Sequence, residues 1–200
     1  MKDFLFPKLH KEGYRFLAIA AVTTFIFLLI SSFLGIISFI LTIWVYYFFR
    51  DPNRFSINNE DYLISPADGV ISQIVEIFGP KELGLESKKF TRVSIFMNVF
   101  NCHVNRIPIF GKISQIFYKP GKFLNASLDK ASEENERNFV KIALSNGNEL
   151  ALVQVAGLIA RRIVCDVNQN EEVQQGQKFG IIRFGSRVDL YFEKYEILVK

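Results

Sequence analysis

The sequence predicts a mainly β protein: a compact, barrel-like or sandwich-like domain with few short helices, preceded by an N-terminal hydrophobic helical hairpin. Three observations predict this fold class. Residues 16–49 contain no charged side chain, which is typical of helices that meet lipid. After Asp51 the chain changes to short apolar or alternating runs separated by turn signals, which is typical of strands. Half of the 200 residues are hydrophobic, more than an ordinary soluble domain carries.

The uncharged run is too long for one straight spanning helix. At 1.5 Å per residue it would measure about 50 Å, whereas the hydrocarbon core of a bilayer is about 30 Å thick. We expect a break at Ser31–Gly35, near the midpoint, which would leave two helices of about 16 residues; a re-entrant pair is the alternative to a full span. A signal peptide is excluded because its apolar core is shorter.

Basic residues flank this run on both sides, which predicts that both ends lie in the cytoplasm. They are Lys2, Lys8, Lys11, Arg15, Arg50 and Arg54. The predicted domains are a membrane-anchoring hairpin at residues 1–50 and a β domain at residues 51–200, on the cytoplasmic face of the cell membrane. A hairpin buried inside a soluble protein is disfavoured, because a chain this short has little other mass to cover it.

Nine runs after Asp51 have the length of strands. They are Tyr62–Ile64, Gly69–Ile77, Phe90–Phe100, Gly111–Tyr118, Phe139–Leu144, Glu149–Ala156, Arg161–Val164, Lys178–Phe184 and Val188–Phe192. The Asn146-Gly147 pair favours a type I′ hairpin turn. The polar stretch Ala131–Asn138 predicts a loop or a short helix.

Composition limits the partners and the redox chemistry. The net charge of +4 comes without a sharp basic stripe, which disfavours a nucleic-acid binder and suits work on anionic lipid head groups. The two cysteines, Cys102 and Cys165, lie far apart in apolar contexts. We interpret them as buried reduced thiols, with no disulfide framework.

Three positions are candidates for chemistry. His103 lies between apolar strand residues and a polar cluster, and histidine is the usual proton carrier near neutral pH; a structural histidine is the alternative. Asp68, in Ser-Pro-Ala-Asp-Gly, is either a turn residue or a catalytic carboxylate. The Gly185-Ser186 step is either a simple turn or an autocatalytic site, where the hydroxyl attacks the preceding carbonyl to make an ester. No hydrolase elbow, dinucleotide fingerprint or dense metal-ligand motif is present.

Six segments together resemble the phosphatidylserine decarboxylase family in its short, archaeal-type, pyruvoyl-dependent form. In order, they are YFFRDPNR (47–54), SPADG (65–69), RVSIFMNVFNCHVNRIP (92–108), Asn125-Ala126 with NER (135–137), QVAGLIARRIVC (154–165) and IIRFGSRVDLYF (181–192). Their occurrence in this order is highly specific and covers roughly residues 44 to 192.

The resemblance implies a zymogen that cleaves itself between Gly185 and Ser186. The fragments 1–185 and 186–200 would stay together as a heterodimer, and Ser186 would become a covalent pyruvoyl group. Asp68 and His103 match the family's catalytic acid and histidine positions. Two departures from the family's longer form stand out: Phe-Gly-Ser-Arg replaces Leu-Gly-Ser-Thr, and Arg106 replaces a second histidine. Self-cleavage and decarboxylation would then share His103, and the two roles cannot be assigned separately.

The implied activity is decarboxylation of phosphatidylserine to phosphatidylethanolamine in phospholipid biosynthesis. A pyruvoyl carbonyl can condense with the substrate amine and accept the electron pair that decarboxylation leaves, so neither a metal nor pyridoxal phosphate is expected. The implied partners are the lipid substrate and the membrane, and no nucleic acid. Two alternatives stay open: a non-catalytic, hammerhead-like adaptor module on a membrane anchor, and a pyruvoyl decarboxylase of a soluble amino acid.

Overall fold

The structure, a computed structural model, describes residues 6–124, 134–157, 162–183 and 186–198 of the chain. The chain divides into two compact units, Met1–Arg54 and Phe55–Lys200. The first is an apolar helical hairpin and the second is built from β-strands. The predicted fold class, mainly β with an N-terminal helical hairpin, is confirmed.

The hairpin consists of helices α1 (Gly13–Ile30) and α2 (Ser32–Phe48). Ser31 between them is extended, with φ −159° and ψ 129°, so the helix breaks inside the predicted segment. By length and composition, α1 is able to cross a membrane, and α2 is a shorter apolar helix.

Small and hydroxyl-bearing residues let the two helices pack closely. A Cβ atom added at Gly35 would lie 2.3 Å from the Leu28 side chain. The Thr24 hydroxyl is 2.9 Å from that of Ser38 and 2.8 Å from that of Thr42. Small residues and hydroxyl pairs of this kind are typical of helix contacts in lipid, where no hydrophobic force drives helices together.

Within its described residues, the second unit contains ten strands and one short 3₁₀ helix, Lys81–Leu83. The strands are β1 (Val70–Phe78), β2 (Lys89–Met97), β3 (Val104–Arg106), β4 (Gly111–Lys119), β5 (Arg137–Ala143), β6 (Glu149–Ala156), β7 (Ile163–Cys165), β8 (Glu172–Val173), β9 (Lys178–Ile182) and β10 (Ser186–Phe192). They form a seven-stranded sheet, β1-β2-β10-β6-β5-β4-β8, and a three-stranded sheet, β3-β9-β7.

All strand pairs are antiparallel. Across the described ranges the larger sheet stays open, with β1 and β8 at its edges, so the sandwich-like expectation holds and a closed barrel does not. Apolar side chains of the two sheets meet in one main core, which includes Ile95 and Val188 from the large sheet and Phe179 and Ile182 from the small one. A second cluster, around Leu83 and Leu85, covers the outer face of the large sheet.

Three local predictions were wrong in part. Tyr62–Ile64 is not a strand, and the very short β3 and β8 were not predicted. The β5–β6 hairpin exists, but its turn is not type I′, because only Gly147 has a positive φ (80°) and Asn146 does not. In the stretch Ala131–Asn138, residues 137–138 belong to β5, Asn135 makes an isolated bridge, and residues 131–133 lie outside the described ranges.

Candidate active site

Ser186 begins β10, the strand at the interior of the large sheet. It lies opposite Met97 of β2 on one side and Ala156 of β6 on the other, and it is fully buried. Its hydroxyl has no hydrogen-bond partner among the described residues. A buried polar group without a partner costs about 1–3 kcal/mol, so such an atom in a native structure points to strain or chemistry.

The chain reaches Ser186 by changing sheets. Strand β9 belongs to the small sheet and ends at Ile182, and β10 belongs to the large sheet. Residues 183–185 separate the two strands in sequence, and the predicted cleavage bond, Gly185–Ser186, immediately precedes β10. Gly185 itself lies outside the described residues.

His103 immediately precedes β3 and is fully buried. Its Nδ1 atom is 3.0 Å from the carbonyl oxygen of Asn101. A carbonyl oxygen only accepts hydrogen bonds, so Nδ1 carries the proton of the neutral ring and Nε2 is the basic nitrogen. The His103 carbonyl oxygen also accepts a hydrogen bond from the Ile182 amide, at 3.4 Å, which holds the histidine beside the segment that leads to Ser186.

Asp68 lies half-buried in the turn before β1. The turn is tied to β3, because the Arg106 amide donates to the Pro66 carbonyl oxygen at 2.8 Å. Its chain also approaches β2 closely: a Cβ atom at Gly69 would lie 2.4 Å from the Phe96 carbonyl oxygen. Strand β2 therefore separates Asp68 from Ser186, and both lie at the end of the sheet where β2 finishes.

This end of the large sheet, here called the site end, gathers all three predicted residues that the structure describes. It comprises the first residues of β1 and β10 and the last residues of β2 and β6. The catalytic roles of Ser186, His103 and Asp68 remain predictions. Arg106, which replaces the longer form's second histidine, donates from Nη1 to the Gly176 carbonyl oxygen at 2.9 Å.

A chain of buried amides beneath the site was not predicted. Asn138 Nδ2 donates to Gln154 Oε1 at 3.0 Å, and Gln154 Nε2 donates to Asn105 Oδ1 at 2.9 Å. Asn105 Nδ2 then points at the sulfur of Met97, 3.6 Å away. The amide chain, as we call Asn138, Gln154 and Asn105, thus links three strands to the residue opposite Ser186. The one signal in the sequence was a lone glutamine inside the apolar run of β6.

Two polar side chains bind the ends of strands near Ser186: Asn135 binds the end of β6, and Glu136 binds the start of β7. Asn135 Nδ2 donates to the carbonyl oxygens of Ala156, at 2.6 Å, and Leu124, at 2.7 Å. Glu136 Oε1 accepts from the Ile163 amide at 3.2 Å. Burial raises the pKa of the nearby Tyr118 hydroxyl, and the Glu136 carboxylate raises it further. The NER stretch (135–137), one of the segments that carry the family resemblance, therefore makes structural hydrogen bonds near the site.

The residues next to Ser186 on β10 form a buried ion pair on the outer face of the sheet. Arg187 Nη2 donates to Asp189 Oδ2 at 3.0 Å, and Arg187 Nε lies 2.8 Å from Oδ1 without hydrogen-bond alignment. Arg92, opposite Tyr191, contacts Gln73 on the same face. These charges anchor β10 from the side away from the main core.

The part of the chain that the structure describes contains no group of three or more histidine, cysteine or acidic side chains suited to a metal ion. Both cysteines are free thiols; Cys102 is buried and Cys165 is half-buried. Burial raises the pKa of the Cys165 thiol, which keeps it protonated at neutral pH.

Comparison with known proteins identifies the class. The sequence model described as phosphatidylserine decarboxylase matches residues 41–200, and the chain belongs to this family. A "Phosphatidylserine decarboxylase proenzyme" of Pelagibacter ubique is 64% identical over 200 residues, covering 100% of this chain and 93% of that protein. Proteins with the same name from Ruegeria pomeroyi (52% identical over 191 residues, 96% and 87%) and Rickettsia typhi (54% over 193 residues, 96% and 84%) are also similar. The family predicted from the sequence is confirmed; its short, archaeal-type form remains a prediction.

Proposed function

We propose that this chain is a proenzyme that cleaves itself between Gly185 and Ser186 and then decarboxylates phosphatidylserine to phosphatidylethanolamine. The observation that carries the proposal is the buried hydroxyl of Ser186, which has no hydrogen-bond partner within the described residues. A relative that is 64% identical and is named a proenzyme aligns along the whole chain, including this position. Family membership supplies the class of reaction and the substrate.

Cleavage is a rearrangement of the chain's own atoms. The Ser186 oxygen attacks the carbonyl carbon of Gly185, a C–O ester bond forms, and the C–N peptide bond breaks to leave a free amine on residue 186. Removal of the Cα proton of residue 186 and breakage of its Cβ–O bond then release the Gly185 carboxylate and leave a dehydroalanine. This enamine tautomerises to an imine, water adds to the imine carbon, and ammonia leaves. The product is a pyruvoyl group at the start of the small fragment.

The surroundings of Ser186 are compatible with self-cleavage. Its hydroxyl makes no hydrogen bond within the described ranges that cleavage would have to break. Strand β10 pairs with β2 over Ser186–Phe192 and with β6 over Ser186–Tyr191, so fragment 186–200 would stay in place without its peptide link. These ladders support a heterodimer of fragments 1–185 and 186–200.

The pyruvoyl group supplies an electron sink for the charge left when carbon dioxide departs. His103 moves protons through Nε2, since Nδ1 is held by the Asn101 carbonyl oxygen. Asp68 orients the imidazole or stabilises its charged form. Both residues act in self-cleavage and in decarboxylation.

The hairpin at residues 1–50 anchors the enzyme to the cytoplasmic face of the cell membrane, and residues 51–200 form the catalytic domain. The support is the exposed apolar surface of both helices, where Leu29, Ile30 and Phe33 are each more than two-thirds exposed. Apolar surface of this extent is unfavourable in water and favourable in lipid. The basic flanks favour the same side of the membrane for both ends.

The test compares two serines. Ser186→Ala should leave a single chain of intact mass and release no carbon dioxide from phosphatidylserine vesicles. Ser94→Ala is the matched control, because Ser94 is also buried and its hydroxyl also lacks a partner within the described residues, but it points to the outer face. This variant should cleave and release carbon dioxide normally.

Three outcomes would overturn the proposal in different ways. An active wild-type sample with one full-length mass and an ordinary serine at 186 would exclude the pyruvoyl mechanism. A wild-type sample that stays one chain and releases no carbon dioxide would favour the adaptor alternative. Release of carbon dioxide from free serine or phosphoserine but not from the lipid would favour a soluble substrate.

A further inference from the structure

A short turn joins the strand opposite Ser186 to His103. Strand β2 ends at Met97, which lies opposite Ser186 in the large sheet, and β3 of the small sheet begins at Val104. Only residues 98–103 connect these two strands. Because the connection is this short, the conformation of the turn determines where the imidazole lies relative to the serine hydroxyl.

Two asparagine side chains hold this turn. Asn98 Oδ1 accepts a hydrogen bond from the Phe100 amide at 2.8 Å, and Asn101 Oδ1 accepts from the Asn98 amide at 2.9 Å. The Asn101 amide also donates to the Asn98 carbonyl oxygen at 3.0 Å. Asparagine is typical of such turns because its side-chain oxygen can accept from nearby main-chain amides. These bonds tie the first residue of the turn to the last, which restricts the main chain between them.

The carbonyl group of Asn101 binds the imidazole. Its oxygen is 3.0 Å from Nδ1 of His103, which is fully buried. In a serine–histidine–aspartate triad a carboxylate binds this same nitrogen and fixes the tautomer and the orientation of the ring. Here a main-chain oxygen binds it, and the position of that oxygen depends on the turn that carries it. The side chains that hold the turn therefore also orient the histidine.

We propose that Asn98 and Asn101 are positioning residues for self-cleavage. Their side chains hold the turn so that the Asn101 carbonyl oxygen keeps the proton of the neutral imidazole on Nδ1, which leaves Nε2 as the base for the Ser186 hydroxyl. Both asparagines act through His103. The inference deepens the proposed function and rests on it, because the tautomer of His103 affects cleavage only if His103 moves the proton.

Cleavage rates, followed as fragment appearance on denaturing gels, test the positioning. Asn98→Ala removes the acceptor of the Phe100 amide and should slow self-cleavage by about 10- to 100-fold, because a misplacement of about 1 Å can cost about 10²-fold. Asn98→Ser keeps a side-chain oxygen that can accept in a turn and should recover part of the rate. Asn101→Ala removes the second side-chain bond and should also slow cleavage.

The matched control is Asn146→Ala in the β5–β6 loop. Asn146 Oδ1 accepts from the Asn148 amide at 2.9 Å, which is the same bond to the second residue along the chain that Asn98 makes. This loop precedes β6, whereas the residue opposite Ser186, Ala156, ends that strand. Asn146→Ala thus weakens an equivalent turn at the other end of the sheet, and it should cleave at the wild-type rate.

Nitrogen NMR of the imidazole tests the orientation without any cleavage. His10 and His103 are the two histidines, so a His10→Ala, Ser186→Ala chain carries one imidazole and stays uncleaved. At about pH 8, above the ordinary histidine pKa of about 6.5, we expect a proton on Nδ1 and none on Nε2. Adding Asn98→Ala or Asn101→Ala should give a mixture of the two tautomers, whereas adding Asn146→Ala should not.

A proton on Nε2 in the uncleaved chain, or a tautomer that neither Asn98→Ala nor Asn101→Ala changes, would overturn the positioning. Cleavage of both variants as fast as Asn146→Ala, or a loss of rate in Asn98→Ser as large as in Asn98→Ala, would also overturn it. Failure of the proposed function gives a different result: the wild-type chain would stay intact although the tautomer still responds to the two asparagines.

Discussion

Strand β10 turns Ser186, Val188 and Leu190 toward the main core, and it turns Arg187, Asp189 and Tyr191 toward the opposite face of the sheet. Both faces are buried along the whole strand. On the outer face the charged groups of Arg187 and Asp189 are paired with each other. On the inner face the hydroxyl of Ser186 has no partner within the described ranges, and the residues opposite Ser186 in the sheet, Met97 and Ala156, are apolar.

This contrast teaches how one strand combines stability with reactivity. Buried charges are tolerated only when they are paired, and the pair then fixes the strand, because moving one partner would leave the other uncompensated. A single unpaired hydroxyl costs much less, so the fold can keep it available for a reaction. Substitutions on the reactive face, on the anchoring face and in the amide chain test this contrast.

The largest expected effect comes from removing the histidine on the reactive side. His103→Ala should slow self-cleavage by about 10²–10⁴-fold, the usual contribution of general acid–base assistance. His103 and His10 are the two histidines of the chain, and His10, which is also buried, lies in the hairpin unit. His10→Ala is therefore the matched control and should cleave normally. The measurement is the time course of fragment appearance on denaturing gels; equal half-times for His103→Ala and wild type would remove His103 from the mechanism.

Asp68→Asn separates the catalytic interpretation of Asp68 from the turn interpretation. Asparagine fits a turn nearly as well as aspartate, so only the loss of charge should matter. Cleavage should slow if the carboxylate orients or stabilises the imidazole, whereas Asp61→Asn, in another turn, should leave it unchanged. Normal cleavage by both variants, with intact circular dichroism, would reduce Asp68 to a turn residue.

The sequence predicted most of the large sheet because its strands follow simple patterns. Glu149–Ala156 was predicted to the residue, since it is a mostly apolar run, interrupted only by Gln154 after its first residue, between a strong turn signal and a glycine. Strand β3 is only three residues long, Val104–Arg106, and no period can be read from three residues. The turn at Asn146-Gly147 was assigned to the wrong type because the amide of Gly147 bonds back to Leu144, which makes a longer loop than the two-residue turn that Asn-Gly favours.

The candidate site likewise has a part that the sequence predicted and a part that it did not. Ser186, His103 and Asp68 were predicted from the family resemblance, because each of them, taken alone, could equally be an ordinary turn or structural residue. The amide chain could not be found, since Gln154 and Asn105 are 49 residues apart and meet only when two sheets pack. Hydrogen bonds between strands of different sheets depend on register and packing, which local sequence does not record.

On the anchoring face, Asp189→Asn should lower the free energy of unfolding by about 3–5 kcal/mol, because it removes the carboxylate charge that pairs with the buried Arg187 guanidinium. Glu134→Gln is the matched control: it removes an ion pair with Lys122 whose side chains are 71% and 44% exposed. That pair should be worth less than about 1 kcal/mol. Thermal and urea unfolding of both variants, in the uncleaved Ser186→Ala background, gives the comparison. A loss for Asp189→Asn as small as that for Glu134→Gln would show that the buried pair does not anchor β10.

A smaller loss of stability than that of Asp189→Asn, about 1–3 kcal/mol, is expected for Gln154→Leu, which removes the hydrogen-bond partner of Asn105 Oδ1 and Asn138 Nδ2. Its effect on cleavage should exceed this loss. Asn105 lies in the short strand β3, two residues after His103, so its hydrogen bond to Gln154 helps to set the position of the histidine relative to Ser186. We therefore expect Gln154→Leu to lengthen the cleavage half-time even where the fold is fully populated.

Leu152→Ala separates the positioning of His103 from general destabilisation. Leu152 lies on the same strand as Gln154 and belongs to the main core, but it is two residues further from the site end. The cavity left by this substitution should cost about 2–5 kcal/mol, at least as much as Gln154→Leu. If the amide chain positions His103, Gln154→Leu cleaves more slowly than Leu152→Ala although it is the more stable variant. If the amide chain only supports the core, cleavage rates follow stability, and Leu152→Ala is the slower of the two.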